Sequence, residues 1–327
     1  MKKTTFLAIV FSCTSLFACG RSDTLLPVAV SKAESTPNFP KTWDGVLTVD
    51  AASAPGSRPV PAELLPKRGK TERPNSIALV IGIEKYRGEL QPATGAEADA
   101  KLFSEYAEKT LGLQARNIHL LLGSAATKSS IDAELSEWIP RSANPAGEVF
   151  LYFAGHGAPE PKTQSSYLVP WDADPKYITT QGIAVQQLAT KLNQTKSASV
   201  LMFIDACFSG AGGRSVVPQG SRPVVFKSST PPPPPSSRIT MMTATGPDEI
   251  TGMAPTGNGL FSYYLFLGLN GGADADNDAT VTTDELATYV SAHVADESRR
   301  QGRDQLPRTV GLTPKSKKSP ITELAGH

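Results

Sequence analysis

Four short apolar runs, each followed by a segment of different periodicity, constrain the fold most. They read NSIALVIGI (75–83), NIHLLLG (117–123), EVFLYFAG (148–155) and SVLMFID (199–205). Runs of this length without polar alternation are the pattern of strands buried on both faces. The intervening stretches 95–112, 129–139 and 184–194 place apolar residues at helical spacing. Gly112 closes the first, and Ser129 is a candidate cap for the second. Strand–helix alternation predicts an α/β sandwich: a mainly parallel sheet joined by right-handed crossovers, with helices on both faces. A fifth strand is expected over 238–246, and helices over 259–269 and 283–300.

In such sheets functional groups collect beyond the carboxyl ends of the strands. The third run ends in AGHG, placing His156, and the fourth in DAC, placing Cys207. A thiol becomes a nucleophile when a base takes its proton, and histidine titrates near neutrality. Gly155 and Gly157 permit a tight turn at the strand end. The N–H groups of Gly157 and Cys207 are candidate oxyanion donors. The plain alternative is a satisfied histidine and a buried cysteine.

The cysteine inventory sharpens this choice. The chain has three, Cys13, Cys19 and Cys207. The start, MKKTTFLAIVFSCTSLFACG, carries two lysines, a short apolar run and then small residues, the pattern of a secretory signal. Its end, Leu16-Phe17-Ala18-Cys19, resembles the bacterial lipobox, which implies a signal peptide over 1–18 and lipidation of Cys19. Ordinary signal cleavage or a membrane-anchored helix is the alternative. Gly20 after the cysteine implies, by the same resemblance, the outer membrane, on its periplasmic or surface face, rather than the inner one. Cys207 then stays as a lone thiol outside the cytoplasm, where oxidation makes it costly unless buried or used.

Residues 19–73 are rich in Pro, Ser, Ala and Lys and read as a disordered tether. The folded domain is expected over 74–312, with a long Pro-rich loop at about 211–237 and a flexible basic tail at 313–327. A net charge of +1 gives no footprint for nucleic acid.

His156 and Cys207 lie 51 positions apart, and caspases separate their histidine and cysteine by about 50. Together with ALVIGIEKY, YFAGHG, YLVPWDAD, IDACFSG and GLFSYYLFLGL, in that order, the sequence resembles the caspase-like cysteine peptidases. Its nearest likeness is the bacterial metacaspase (orthocaspase) branch. The resemblance covers roughly 76–311 and implies a peptide hydrolase with His156 as general base and Cys207 as nucleophile. It also implies cleavage after Arg or Lys, because Asp205 stands two before the nucleophile and Asp99 matches a second acidic pocket position. A carboxylate on a pocket floor favours a cation, bidentate for Arg. The alternatives are a strand-end cap for Asp205 and a solvated helix residue for Asp99. Two departures stand out. Ala154 replaces the usual serine, and Arg214 falls where the family's activating calcium site has acidic residues. Arg214, Arg222, Lys227 and Arg238 make the long loop a candidate for self-processing. A catalytically silent binding module and an acyl transferase are the rival readings.

A different calcium candidate is DADNDATVTTDE. Asp274, Asp276, Asp278, Thr280 and Glu285 occupy positions 1, 3, 5, 7 and 12 of an EF-hand loop, but Ala279 stands where the turn favours glycine. A solvated acidic turn is the alternative. No other cofactor is implied.

Overall fold

The computed structural model describes residues 59–324 apart from 161, 163–164, 209–237, 246–248 and 250. The long loop and the whole amino-terminal leader therefore lie outside the described residues.

The four apolar runs form β1 (Ile77–Gly82), β2 (Ile118–Leu122), β3 (Glu148–Ala154) and β7 (Ser199–Asp205). With β8 (Ile239–Thr243) and β10 (Arg308–Val310) they make a six-stranded sheet in the order β10-β8-β7-β3-β1-β2. All pairs are parallel except β10 with β8. Strands β1, β3 and β7 are central and almost wholly buried, which is why they read as unbroken apolar runs. Edge strand β2 is only half-buried.

Chain order fixes the faces. The step from β1 to β2 runs one way along the sheet, and those from β2 to β3 and β3 to β7 run the other way. Right-handed crossovers then put α1 (Ala96–Lys109) on one face. They put α2 (Lys128–Ala133), a π turn at Glu134–Trp138, α3 (Ile139–Ser142) and α5 (Val185–Asn193) on the other. Gly82 allows α1 to lie directly on β1, since a Cβ there would sit 2.5 Å from that of Ala100. Helix α6 (Leu260–Leu267), extended by a π turn to Gly272, joins α1. Phe103 of α1 stacks on Tyr152 of β3 with centroids 4.5 Å apart, and Tyr106 stacks on Phe266 of α6 at 5.0 Å. The cap of α2 is Thr127, whose hydroxyl accepts the Ser130 N–H; Ser129, the expected cap, lies inside the helix.

Two small sheets were not foreseen. β4 (Gly157–Glu160), β5 (Ser165–Leu168) and β6 (Ile183–Ala184) form an antiparallel sheet that starts immediately after His156, and α4 (Ile178–Gln181) precedes β6. β9 (Thr280–Thr282) opens α7 (Thr283–Arg300) and pairs with β11 (Pro320–Glu323), which follows α8 (Pro314–Lys317).

These pairings correct both expected domain ends. The segment 313–324 is part of the fold: Ile321 is 2 % exposed, and the Arg73 guanidinium donates to the carbonyls of Ile321 and Leu111 while pairing with Glu148 at 2.9 Å. Order also begins before residue 74. Leu64 is fully buried and its carbonyl accepts the Tyr106 hydroxyl at 3.0 Å, and the Lys70 N–H donates to the Glu323 carbonyl. The domain is closed by its own two ends, one laid against the other.

Candidate active site

The parallel pairing of β3 with β7 sets the site. Ala154 lies opposite Asp205 in the last step of the register. His156 and Cys207 each follow two residues later, so both emerge from adjacent strands at the same carboxyl end. The two turns nearly touch: a Cβ on Gly157 would lie 2.6 Å from the Cys207 carbonyl oxygen. Glycine at 157 is therefore required by close approach.

His156 is held on several sides. Its backbone N–H donates to the Tyr86 hydroxyl at 2.6 Å, and its carbonyl accepts the Val169 N–H at 3.0 Å. The Tyr86 ring stacks on the imidazole, centroids 4.8 Å apart and planes 29° from parallel. Nε2 lies 2.5 Å from the Gln91 carbonyl oxygen. A carbonyl only accepts, so Nε2 carries the proton, and in the neutral ring Nδ1 holds the basic lone pair. The YLVPWDAD stretch supports the same turn. Val169 belongs to it, the Trp171 carbonyl accepts the Arg87 N–H next to Tyr86, and the Asp172 carboxylate takes the Lys128 N–H at the start of α2.

Cys207 is fully buried, and its thiol donates to the Glu249 carbonyl at 3.1 Å. That partner suits S–H rather than a thiolate, and the sulfur is covered. The Glu249 carboxylate is anchored in turn by the Leu306 N–H at 2.6 Å and by Arg308 at 3.6 Å.

Both expected pocket acids are buried on the α6 side. Asp205 accepts the Ser262 hydroxyl at 2.6 Å, and Ser262 lies 2.6 Å from the Tyr152 hydroxyl. Asp99 accepts the Gly259 N–H at 2.9 Å and the Asn258 side-chain amide at 2.6 Å. Asp99 is therefore no solvated helix residue. The two carboxylates meet the first turn of α6, where the helix dipole favours negative charge.

The acidic loop is compact. One oxygen from each of Asp274, Asp276 and Asp278 falls within 4.8 Å of the others, and Ala279 adopts φ 67°, the left-handed turn that an EF-hand loop makes at that position. Three of its carboxylates, Asp274, Asp278 and Glu285, are engaged by their own loop. Asp274 takes the N–H groups of Asp278 and Ala279, Asp278 takes that of Thr280, and Glu285 caps α7 through Thr282.

Sequence reasoning placed His156, Cys207, Asp205 and Asp99 but missed Tyr86, Gln91, Glu249 and Ser262. Tyr86 sits inside the ALVIGIEKY signature, so its position was visible while its contact was not. Gln91 and Glu249 act through main-chain carbonyls, which leave no mark in a sequence.

The sequence model of the caspase domain matches residues 75–318, and the chain belongs to that family. The fold is accordingly that of a cysteine-peptidase-type domain. Two solved structures share it at 16 % identity each. One is a protein of Geobacter sulfurreducens, with TM-score 0.53, covering 77 % of this chain and 100 % of that one. The other is caspase-1 of Spodoptera frugiperda, with TM-score 0.50, covering 84 % and 98 %. Among curated proteins nothing matches.

Proposed function

We propose that this chain is a cysteine endopeptidase of the metacaspase branch that cleaves after Arg or Lys. The observation that carries the reading is the β3–β7 register, from which His156 and Cys207 leave side by side with Nε2 of the histidine committed to Gln91. Nδ1 takes the thiol proton, and the thiolate attacks the scissile carbonyl. The oxyanion is met by the N–H groups of Gly157 and Cys207, and the imidazolium returns its proton to the leaving amine. Substrate must first displace the Glu249 carbonyl from Cys207.

The buried carboxylates of Asp205 and Asp99 support a basic residue on the acyl side of the scissile bond. A guanidinium entering there would gain hydrogen bonds from two carboxyl groups already buried by the fold. Self-processing belongs to the same reading, but at Arg214, Arg222 or Lys227, which lie outside the described residues. Arg238 is no candidate. Its guanidinium donates to the carbonyls of Asn193 and Thr195, and its own carbonyl accepts the Val200 N–H that starts the β7–β8 pairing. Lipidation of Cys19 and an outer-membrane tether complete the proposal on the strength of the leader sequence. No helix among the described residues is long and apolar enough to cross a membrane.

The covered thiol favours one rival, a silent caspase-like assembly module. Paired fluorogenic peptides ending in Arg or in Asp separate the readings, assayed with the soluble protein beside Cys207→Ala. Cleavage after Arg that disappears in the variant is the expected result. Cleavage after Asp would overturn the role of Asp205. Cleavage of neither, with Cys207 inert to iodoacetamide, would favour the silent module.

A further inference from the structure

We propose that Tyr86 is a positioning residue for His156, fixing the tautomer and the orientation of the base; its catalytic consequence rests on the peptidase reading above. Tyr86 does two separate things to the same residue. Its hydroxyl accepts the His156 main-chain N–H at 2.6 Å, and its ring lies along the imidazole at 4.8 Å. The hydroxyl is also packed against the turn, only 2.7 Å from where a Cβ on Gly155 would stand.

A strand-end turn needs such a partner. His156 has left the β3 ladder, so its N–H no longer meets a neighbouring strand, and a buried amide without an acceptor is costly. The Tyr86 hydroxyl fills that place from the β1 side. The Arg87 N–H bond to the Trp171 carbonyl then anchors Tyr86 from the other flank. The stacked ring closes one face of the imidazole and restricts χ2, leaving the 180° flip as the alternative placement of the two nitrogens. The Gln91 carbonyl at Nε2 selects one of the two ring orientations. Remove the hydroxyl, and the turn can relax enough to lengthen that short Nε2 contact. The ring then samples both tautomers, and the Nδ1–H form cannot serve as base. In this scheme Tyr86 acts through the histidine.

The test reads the histidine directly. The chain has four histidines, so ring 15N spectra of labelled protein are assignable with His156→Gln. Wild type is expected to show His156 as a single Nε2–H tautomer when neutral. Tyr86→Phe, which keeps the ring, should add a visible Nδ1–H population and lower kcat on an Arg peptide at least tenfold with KM within twofold. Tyr86→Leu, which removes the ring as well, should go further on both readouts. Tyr106→Phe is the control for lost stability: its hydroxyl is bonded to the Leu64 carbonyl away from the site, and it should lower Tm while leaving the His156 tautomer alone. A Tyr86→Phe protein with an unchanged tautomer overturns the proposal, whether kcat holds or falls together with Tm. A changed tautomer in a protein that never cleaves peptides supports the placement of Tyr86 and sinks the peptidase reading instead.

Discussion

Ala279 holds a left-handed backbone, φ 67°, in the acidic loop before β9. The conformation crowds a Cβ against the following carbonyl and costs roughly 1–2 kcal/mol for a side-chain-bearing residue. Ala279→Gly removes that strain, and the added freedom of glycine in the unfolded chain offsets part of the gain. The expected outcome is a net stabilisation of about 0.5–1 kcal/mol, read as a shift in the denaturant midpoint without a change in slope. Six residues on, Glu285 makes the opposite case. Burial raises its pKa, but the N–H and hydroxyl of Thr282 and the N–H groups of Ala275 and Asp276 outweigh this and hold it below its usual value. A carboxylate whose folded pKa is depressed contributes stability that is present above its unfolded value and is lost as pH falls through the folded one. Acid should therefore weaken the domain below about pH 4.5, where the free glutamate is half protonated and the folded one is still mostly ionised. Glu285→Gln keeps the cap shape and should remove this part of the pH dependence, as thermal melts between pH 3 and 7 would record.

At the scale of elements, α6 is pinned at its first turn by two acids from other parts of the chain. Asp99 of α1 accepts the N–H of the N-cap residue Gly259 and the side-chain amide of Asn258 before it. Asp99→Ala leaves the Gly259 N–H and the Asn258 amide without their acceptor, which costs about 1–3 kcal/mol. The variant should lose Tm as well as activity, whereas a residue that only bound substrate would lose activity alone. The central strands were readable in the sequence because burial on both faces leaves an unbroken apolar run. His156 and Cys207 were readable because each ends such a run. The short strands β4, β5, β6, β9 and β11 were not, since two to four residues are too few to display a period, and Pro159 within β4 argues against a strand. Nor was the contact of Asp99 with α6, which spans 160 positions of chain and has no local signature.

At the scale of the whole described domain, its two ends bind each other and the core. The carboxyl-terminal strand β11 pairs with β9, Gly69 bridges to Leu324, and Arg73 reaches the carbonyl of Ile321. A fragment limited to 74–312, the span that composition suggests, omits Leu64, Ile321 and Leu324, which are 0 %, 2 % and 6 % exposed. Each fully buried aliphatic side chain contributes roughly 1.5–3 kcal/mol, so the three together account for about 4.5–9 kcal/mol. That is comparable with the whole stability of an ordinary domain, about 5–15 kcal/mol. Arg73 would be missing from the same fragment, leaving Glu148 at the start of β3 without its guanidinium. The fragment 59–324 is expected to melt in one cooperative transition, and 74–312 to be largely unfolded at the same temperature. Circular dichroism of the two during heating decides between them. A cooperative 74–312 fragment within a few degrees of the longer one would mean that the paired ends decorate the fold without holding it.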